Sequence, residues 1–315
     1  MLCTLSYRFI FLKKHYVEYY NSNGKKMTKI TFLGLGVMGY PIAGHLAAAG
    51  HSITVYNRTI NKAEAWTRQH TGVFCTTPAK AASGAEIVMA CVGNDDDLRS
   101  VCLGSDGAFS TMSEGSTFID HTTVSASVTC ELYELARSKG IAFVDAPVSG
   151  GQAGAESGQL SIMCGGDQDV YDHVEQFMNI YAKLCRRIGR SGSGQMTKMC
   201  NQIAIAGLVQ GLSEALHFAS KAGLDGAAVI EVISQGAAGS WQMSNRYKTM
   251  LEDQFEHGFA VDWMRKDLGI CLAAADQNGA SLPVTALVDQ FYKDVQKLGG
   301  GRWDTSSLFK RLQIV

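Results

Sequence analysis

The chain has 315 residues, 46% apolar and 18% charged, with a formal net charge of −1. That composition belongs to a folded protein, of one large domain or two modest ones, and the balanced charge gives no basic excess for nucleic acid. No stretch of about 18 uninterrupted apolar residues suggests a membrane span, and the 9 cysteines lack the spacing of a zinc site or a disulfide framework.

Residues 1–26 stand apart as an aromatic, basic extension whose only acid is Glu18. They read as an upstream start codon or a disordered tail, with targeting or partner docking the alternative. From Lys29 the chain alternates strand and helix. Lys29–Leu33 is a β-favouring run, Gly34–Gly39 a glycine-rich turn, Met38–Ala49 a helix ending at Gly50, and Ile53–Tyr56 the next strand. Further strands are expected at Ile87–Cys91, Thr117–Asp120, Ala142–Asp145 and Ser161–Cys164, mostly separated by helical stretches. Such alternation predicts an α/β Rossmann domain, a doubly wound parallel sheet, over 27–190. The breaker cluster Gly189-Arg190-Ser191-Gly192-Ser193-Gly194 then ends the β pattern. Gln195–Lys221, Ala227–Gln235, Asp262–Gln277 and Val284–Leu298 read as helices, so 191–315 is expected to be all-helical. Within the first of these, Ile203–Ala219 is broken by Gln210, Ser213, Glu214 and His217 and reads as a buried helix, not a span.

Gly34-Leu35-Gly36-Val37-Met38-Gly39 is a GxGxxG set between a strand and a helix, the context that a dinucleotide fingerprint needs. The first glycine permits the tight turn, the second lets the backbone approach a pyrophosphate, and the third lets helix and strand pack closely. The helix N-terminus offers N–H groups and a positive dipole to the phosphates. After the second strand come Asn57, Arg58 and Thr59, with no carboxylate to bond a ribose 2′-OH. The Arg58 guanidinium suits a 2′-phosphate, which favours NADP, with NAD the alternative and a solvated surface charge the plainer reading.

Lys198, Asn201 and Gln202 fall at i, i+3 and i+4 and share one helix face. Reducing a carbonyl needs a proton for the new alkoxide, and an ammonium can give it and hold the developing charge. Against this stands the plain reading of a solvated lysine. Asp145-Ala146-Pro147-Val148-Ser149-Gly150-Gly151 follows a strand at the carboxyl edge, where α/β sheets bind ligands. Its adjacent glycines expose N–H groups to a substrate carboxylate, or form only a flexible connection.

Four motifs in order carry a resemblance over about residues 28–315: GLGVMGYPIAGHLAAAGH followed by NRT, DAPVSGGQAGAESGQLSIMCGG, GSGQMTKMCNQ and WMRKDLG. With them the sequence resembles the 3-hydroxyisobutyrate dehydrogenases, or β-hydroxyacid dehydrogenases. The resemblance implies Lys198 as general acid/base, Ser149, Gly150 and Gly151 on the substrate carboxylate, and Lys266 near the cofactor. It implies Thr123 between nicotinamide and substrate, and looser cofactor contacts at Val92, Gly93 and Asp97, where the residue types differ from the family's. Many relatives have two asparagines after the lysine; here Asn201 is followed by Gln202, whose longer reach suits a slightly different acid. Relatives include tartronate, glyoxylate and succinic semialdehyde reductases and 6-phosphogluconate dehydrogenase. The last has a far longer helical domain and histidine where this chain has Asn201.

The expected function is therefore hydride transfer between NADP or NAD and a small β-hydroxyacid or its semialdehyde, without a metal. The alternatives are an imine reductase, against which Lys198 argues, and a non-catalytic dinucleotide-binding module, against which the complete set of site residues argues. Substrate choice is expected around Ser240-Trp241 and Asn245-Arg246, with Arg246 either a second carboxylate ligand or a surface charge. The free thiols suit a cytoplasmic protein, and the resemblance implies a homodimer or homotetramer.

Overall fold

The computed structural model describes residues 27–314, so the expectation for residues 1–26 lies outside it. β1 (Lys29–Leu33), α1 (Gly39–Ala48), β2 (Ser52–Tyr56), α2 (Ile60–Gln69), β3 (Val73–Phe74), α3 (Pro78–Ala82), β4 (Ile87–Ala90), α4 (Asp95–Leu103), β5 (Thr117–Asp120), α5 (Ala126–Ser138) and β6 (Ala142–Asp145) come first. The sheet runs β3-β2-β1-β4-β5-β6, every pair parallel. Strand order reverses between β1 and β4, and the crevice outside the carboxyl ends there is where such sheets take ligands.

Side chains alternate across this sheet, so each strand feeds two cores. Ile30, Phe32, Val55 and Met89 face Ile42, Leu46 and Trp66 on one side. Leu33, Val88, Ala90 and Phe118 face Leu98, Val128 and Leu132 on the other. Burial on both faces explains why β4 reads as the unbroken apolar run IVMA and why even the polar ends of β5, Thr117 and Asp120, are buried.

The expected parallel sheet is borne out, with an antiparallel interruption after these six strands. After β7 (Val148–Ser149) and α6 (Gly151–Glu156), β8 (Leu160–Gly166) pairs antiparallel with both β6 and β7. α7 (Gln168–Met178) then leads to β9 (Ala182–Gly189), which pairs parallel with β8. β9 had no expected strand. It carries Lys183, Arg186 and Arg187, leaves Leu184 and Ile188 exposed and buries Cys185, so no apolar alternation announces it, and its charges suit a sheet margin.

α8 (Ser193–Lys221) follows, then α9 (Gly226–Ile233), α10 (Trp241–Leu251), α11 (Val261–Asn278), α12 (Pro283–Lys297) and α13 (Leu308–Ile314). By length and composition α8 is apolar enough to cross a membrane. It packs instead against β8, α10, α11, α12 and α13, and its buried face carries Gln195, Lys198, Gln202, Gln210 and Ser213. Its start is tied to the sheet. The Asp145 carboxylate at the end of β6 accepts from Gly192 N at 2.8 Å and Gln195 N at 3.0 Å, and a side chain on Gly194 would strike the Met163 and Asp145 carbonyl oxygens. Two of the N–H groups that a helix N-terminus leaves open are thus met by a strand residue about fifty positions away.

Candidate active site

The turn between β1 and α1 has the shape its glycines require. Gly34 adopts φ +98°, which favours glycine, and a Cβ there would collide with the Cys91 carbonyl. A Cβ on Gly39 would collide with the Gly34 carbonyl oxygen and the Phe32 ring. At Gly36 the same atom would meet nothing within 4 Å. The open space lies in front of a helix N-terminus that no side chain caps. A dinucleotide pyrophosphate therefore fits: there is room for it at Gly36, and uncommitted N–H groups face it. Val37 is exposed here, whereas the Leu35 side chain is buried in the core and its N–H donates to Asn57 Oδ1 at 2.9 Å. Asn57 Nδ2 donates to the Thr59 carbonyl at 2.9 Å, so Asn57 holds the turn together. Arg58 is mostly exposed and pairs with Asp97 at 2.9 Å.

Across the switch point, the loops after β4 and β5 are joined by Lys266 of α11. Its ammonium donates to the Gly93 carbonyl at 3.1 Å and to the Thr123 carbonyl, and lies 3.1 Å from Asp267 Oδ1. Two of the three lysine donors are thus met by backbone carbonyls, and the ammonium ties the two loops together. Val92 N donates to Thr122 Oγ1 at 3.0 Å in the same loop pair. Gln195 adds a second fastener, its amide donating to the Thr122 carbonyl at 2.7 Å and accepting from Val124 N at 3.2 Å.

A polar chain then runs to α8. Ser149 Oγ donates to Asn201 Oδ1 at 3.4 Å, Asn201 Nδ2 to Gln202 Oε1 at 2.8 Å, and Gln202 Nε2 to Asp267 Oδ2 at 2.6 Å. The extra methylene of Gln202 is spent on reaching Asp267. Gly150 and Gly151, with φ +133° and +61°, continue from Ser149 and stay exposed. Lys198, one turn before Gln202, is 8% exposed, and among the described residues no side chain hydrogen-bonds its ammonium. Burial lowers its pKa from the ordinary lysine value; the Asp267 carboxylate opposes the shift and Lys266 adds to it.

Sequence reasoning missed Asp267, Gln195 and the anchoring role of Asp145. Asp267 had one signal, its place beside Lys266 in the KDL triplet. It missed Asp120 as well, buried at the end of β5 beside Asp145 of β6. Burial pushes the Asp120 carboxyl up to about 7 although Thr122 N donates to it at 2.9 Å. His121 is fully enclosed between the Ala146 carbonyl and the Tyr181 hydroxyl, and burial lowers its pKa to about 4. Arg246 is not the plain surface charge that was one of its two sequence readings. It pairs with the buried Asp304 at 3.1 Å, and its guanidinium lies 5.0 Å from the Trp241 ring centre.

Residues 29–189 match the family model for the NAD binding domain of 6-phosphogluconate dehydrogenase. Residues 192–312 match the one for NAD-binding of NADP-dependent 3-hydroxyisobutyrate dehydrogenase. The chain is 39% identical over 91% of its length to a probable 3-hydroxyisobutyrate dehydrogenase-like protein of Arabidopsis thaliana, covering 85% of that protein. The chain belongs to the 3-hydroxyisobutyrate dehydrogenase family. It is an NAD(P)-dependent oxidoreductase that acts on hydroxyl groups. An uncharacterized oxidoreductase of Shewanella frigidimarina is 58% identical over 91% of this chain and 99% of its own. The fold agrees with that of the 3-hydroxyisobutyrate dehydrogenase of Mycobacterium tuberculosis, at 28% identity and a TM-score of 0.82 over 91% of this chain and 99% of that one.

Proposed function

We propose that this 3-hydroxyisobutyrate dehydrogenase relative reduces a short semialdehyde to its β-hydroxyacid, and runs the reverse oxidation, with NADP favoured over NAD. The observation that carries the reading is Lys198: a buried amine that no side chain among the described residues hydrogen-bonds, one helical turn from the chain Ser149–Asn201–Gln202–Asp267. Val92, Gly93 and Thr123 would hold a nicotinamide, which would supply the hydride in reduction and accept it in oxidation. Lys198 Nζ gives its proton to the carbonyl oxygen as that oxygen becomes an alkoxide, and takes the hydroxyl proton in the reverse direction. Ser149 and the backbone N–H groups of Gly150 and Gly151 bind the substrate carboxylate, and Asn201 orients the substrate oxygen. Its depressed pKa makes the ammonium a better acid than an exposed lysine. Arg58 takes the 2′-phosphate that only NADP carries.

The buried Asp304 competes for the Arg246 charge, which weakens a second carboxylate there and favours monocarboxylate substrates. The chain forms a homodimer or homotetramer; the exposed line Ala204, Leu208, Gly211 and Phe218 along α8 supports this as an apolar face to bury. The test is a panel of glyoxylate and short semialdehydes, with their methyl esters, against NADPH and NADH. Turnover of a free acid and poor turnover of its ester is the expected result. Cofactor binding without turnover of any substrate would leave a non-catalytic module. Turnover confined to ketone–amine mixtures would make the protein an imine reductase.

A further inference from the structure

Dinucleotide sites that take NAD usually bond the ribose 2′-OH through a carboxylate at the end of the second strand. β2 ends here without one, and Asn57 is occupied in holding the turn. The fold nevertheless brings a carboxylate to that place from another element. Asp97, in the first turn of α4, reaches Arg58 Nη1 with Oδ1 at 2.9 Å, while Oδ2 lies against Gly93, where any Cβ would collide with it. Its neighbours on α4 are differently engaged: Asp95 accepts from Ser125 N at 3.0 Å and Asp96 lies 3.7 Å from Arg99. Asp97 itself is fixed by its own N–H, which donates to Asn94 Oδ1 at 2.8 Å.

With Arg58 83% exposed, the pair adds little to stability, and fold energetics give no reason for it. We propose that Asp97 is a specificity-determining residue: through its grip on Arg58 it sets the balance between NADPH and NADH. This rests on reading the glycine-rich turn as a dinucleotide site with Arg58 at the 2′ position. Two effects of Asp97 on NADPH oppose each other. Holding Arg58 extended pre-organises the guanidinium, but the gain is bounded by the small worth of an exposed pair. A 2′-phosphate carries close to two negative charges and must share Arg58 with the carboxylate, so the repulsion is the larger effect. For NADH the carboxylate offers the 2′-OH an acceptor. Asp97 thus weakens NADPH and supports NADH, and both cofactors remain usable.

The test is calorimetric titration of the full chain with NADPH and with NADH, a readout independent of turnover. Asp97→Asn should raise the ratio of NADPH to NADH affinity by about tenfold. Asp97→Glu, which keeps the charge, should stay within about threefold of the parent ratio. If asparagine at this position prevents folding, Asp97→Ser carries the same prediction as Asp97→Asn. A ratio moved less than about twofold, or equal weakening of both cofactors, overturns the proposal and leaves Asp97 as support for α4. Arg58→Ala separates the two levels. Selective loss of NADPH affinity upholds the reading of the site whatever Asp97→Asn does. No loss for either cofactor removes that reading and this proposal together.

Discussion

Lys198 places its amine where burial disfavours the charged form. Burial lowers its pKa, the neighbouring ammonium of Lys266 lowers it further, and the Asp267 carboxylate raises it. Asp267→Asn removes the largest of the charge effects that raise it while keeping an acceptor for Gln202, so the Lys198 pKa should fall further. Reduction needs the protonated amine, so the limb where the reductive rate declines with rising pH should move to lower pH, read from kcat/KM profiles of parent and variant. An unmoved limb would mean that Asp267 does not act on the group that supplies the proton. Lys198 and Gln202 were legible from helical spacing. Asp267 was not, because its contact with Gln202 spans 65 positions and no local pattern encodes it.

The β1–α1 turn makes a prediction about an element, because its glycines serve different ends. Gly36→Ala places a methyl group in open space, so the protein should melt as the parent does. It should lose dinucleotide affinity by about tenfold or more, since that methyl occupies the approach of the pyrophosphate. Gly39→Ala forces a methyl group into the Gly34 carbonyl and the Phe32 ring, and should lower stability by about 1–3 kcal/mol or more. Melting curves and cofactor titration distinguish the two; a destabilised Gly36→Ala would contradict the assignment of that space. The turn was readable because glycine spacing is local and its strand and helix flank it directly. β7 and β9 were not: one is two residues long, and the other has a charged, largely exposed face with no apolar alternation. α10, polar for most of its length, was missed for the same reason.

At the scale of the whole molecule, the sheet and the helices that follow it meet through buried carboxylates. Asp145 anchors α8, and Asp120 sits beside it on β5. The Asp120 carboxyl is raised from 3.8 to about 7 on folding, chiefly by burial. A raised carboxyl means that the folded state holds a proton that the unfolded chain releases. The resulting stability is full below the unfolded value of 3.8 and is lost as pH climbs through about 7. Asp120→Asn resembles the protonated form at every pH. The melting temperature of the parent should therefore fall more steeply between pH 5 and 8 than that of the variant; parallel curves would contradict the buried, proton-holding Asp120. Such a coupling was invisible in sequence, because it depends on which strands become neighbours and how deeply they are covered.

These levels meet at Lys198, buried on α8 one helical turn from the polar chain Ser149–Asn201–Gln202–Asp267. Lys198→Ala tests that convergence most directly, with kcat/KM measured on the best substrate of the panel beside the melting temperature and the dissociation constant for NADPH. The account predicts a fall of about 10²–10⁴-fold in kcat/KM, while folding and cofactor affinity stay close to the parent values. Turnover within about threefold of the parent would contradict it, and the proton would have to come from elsewhere.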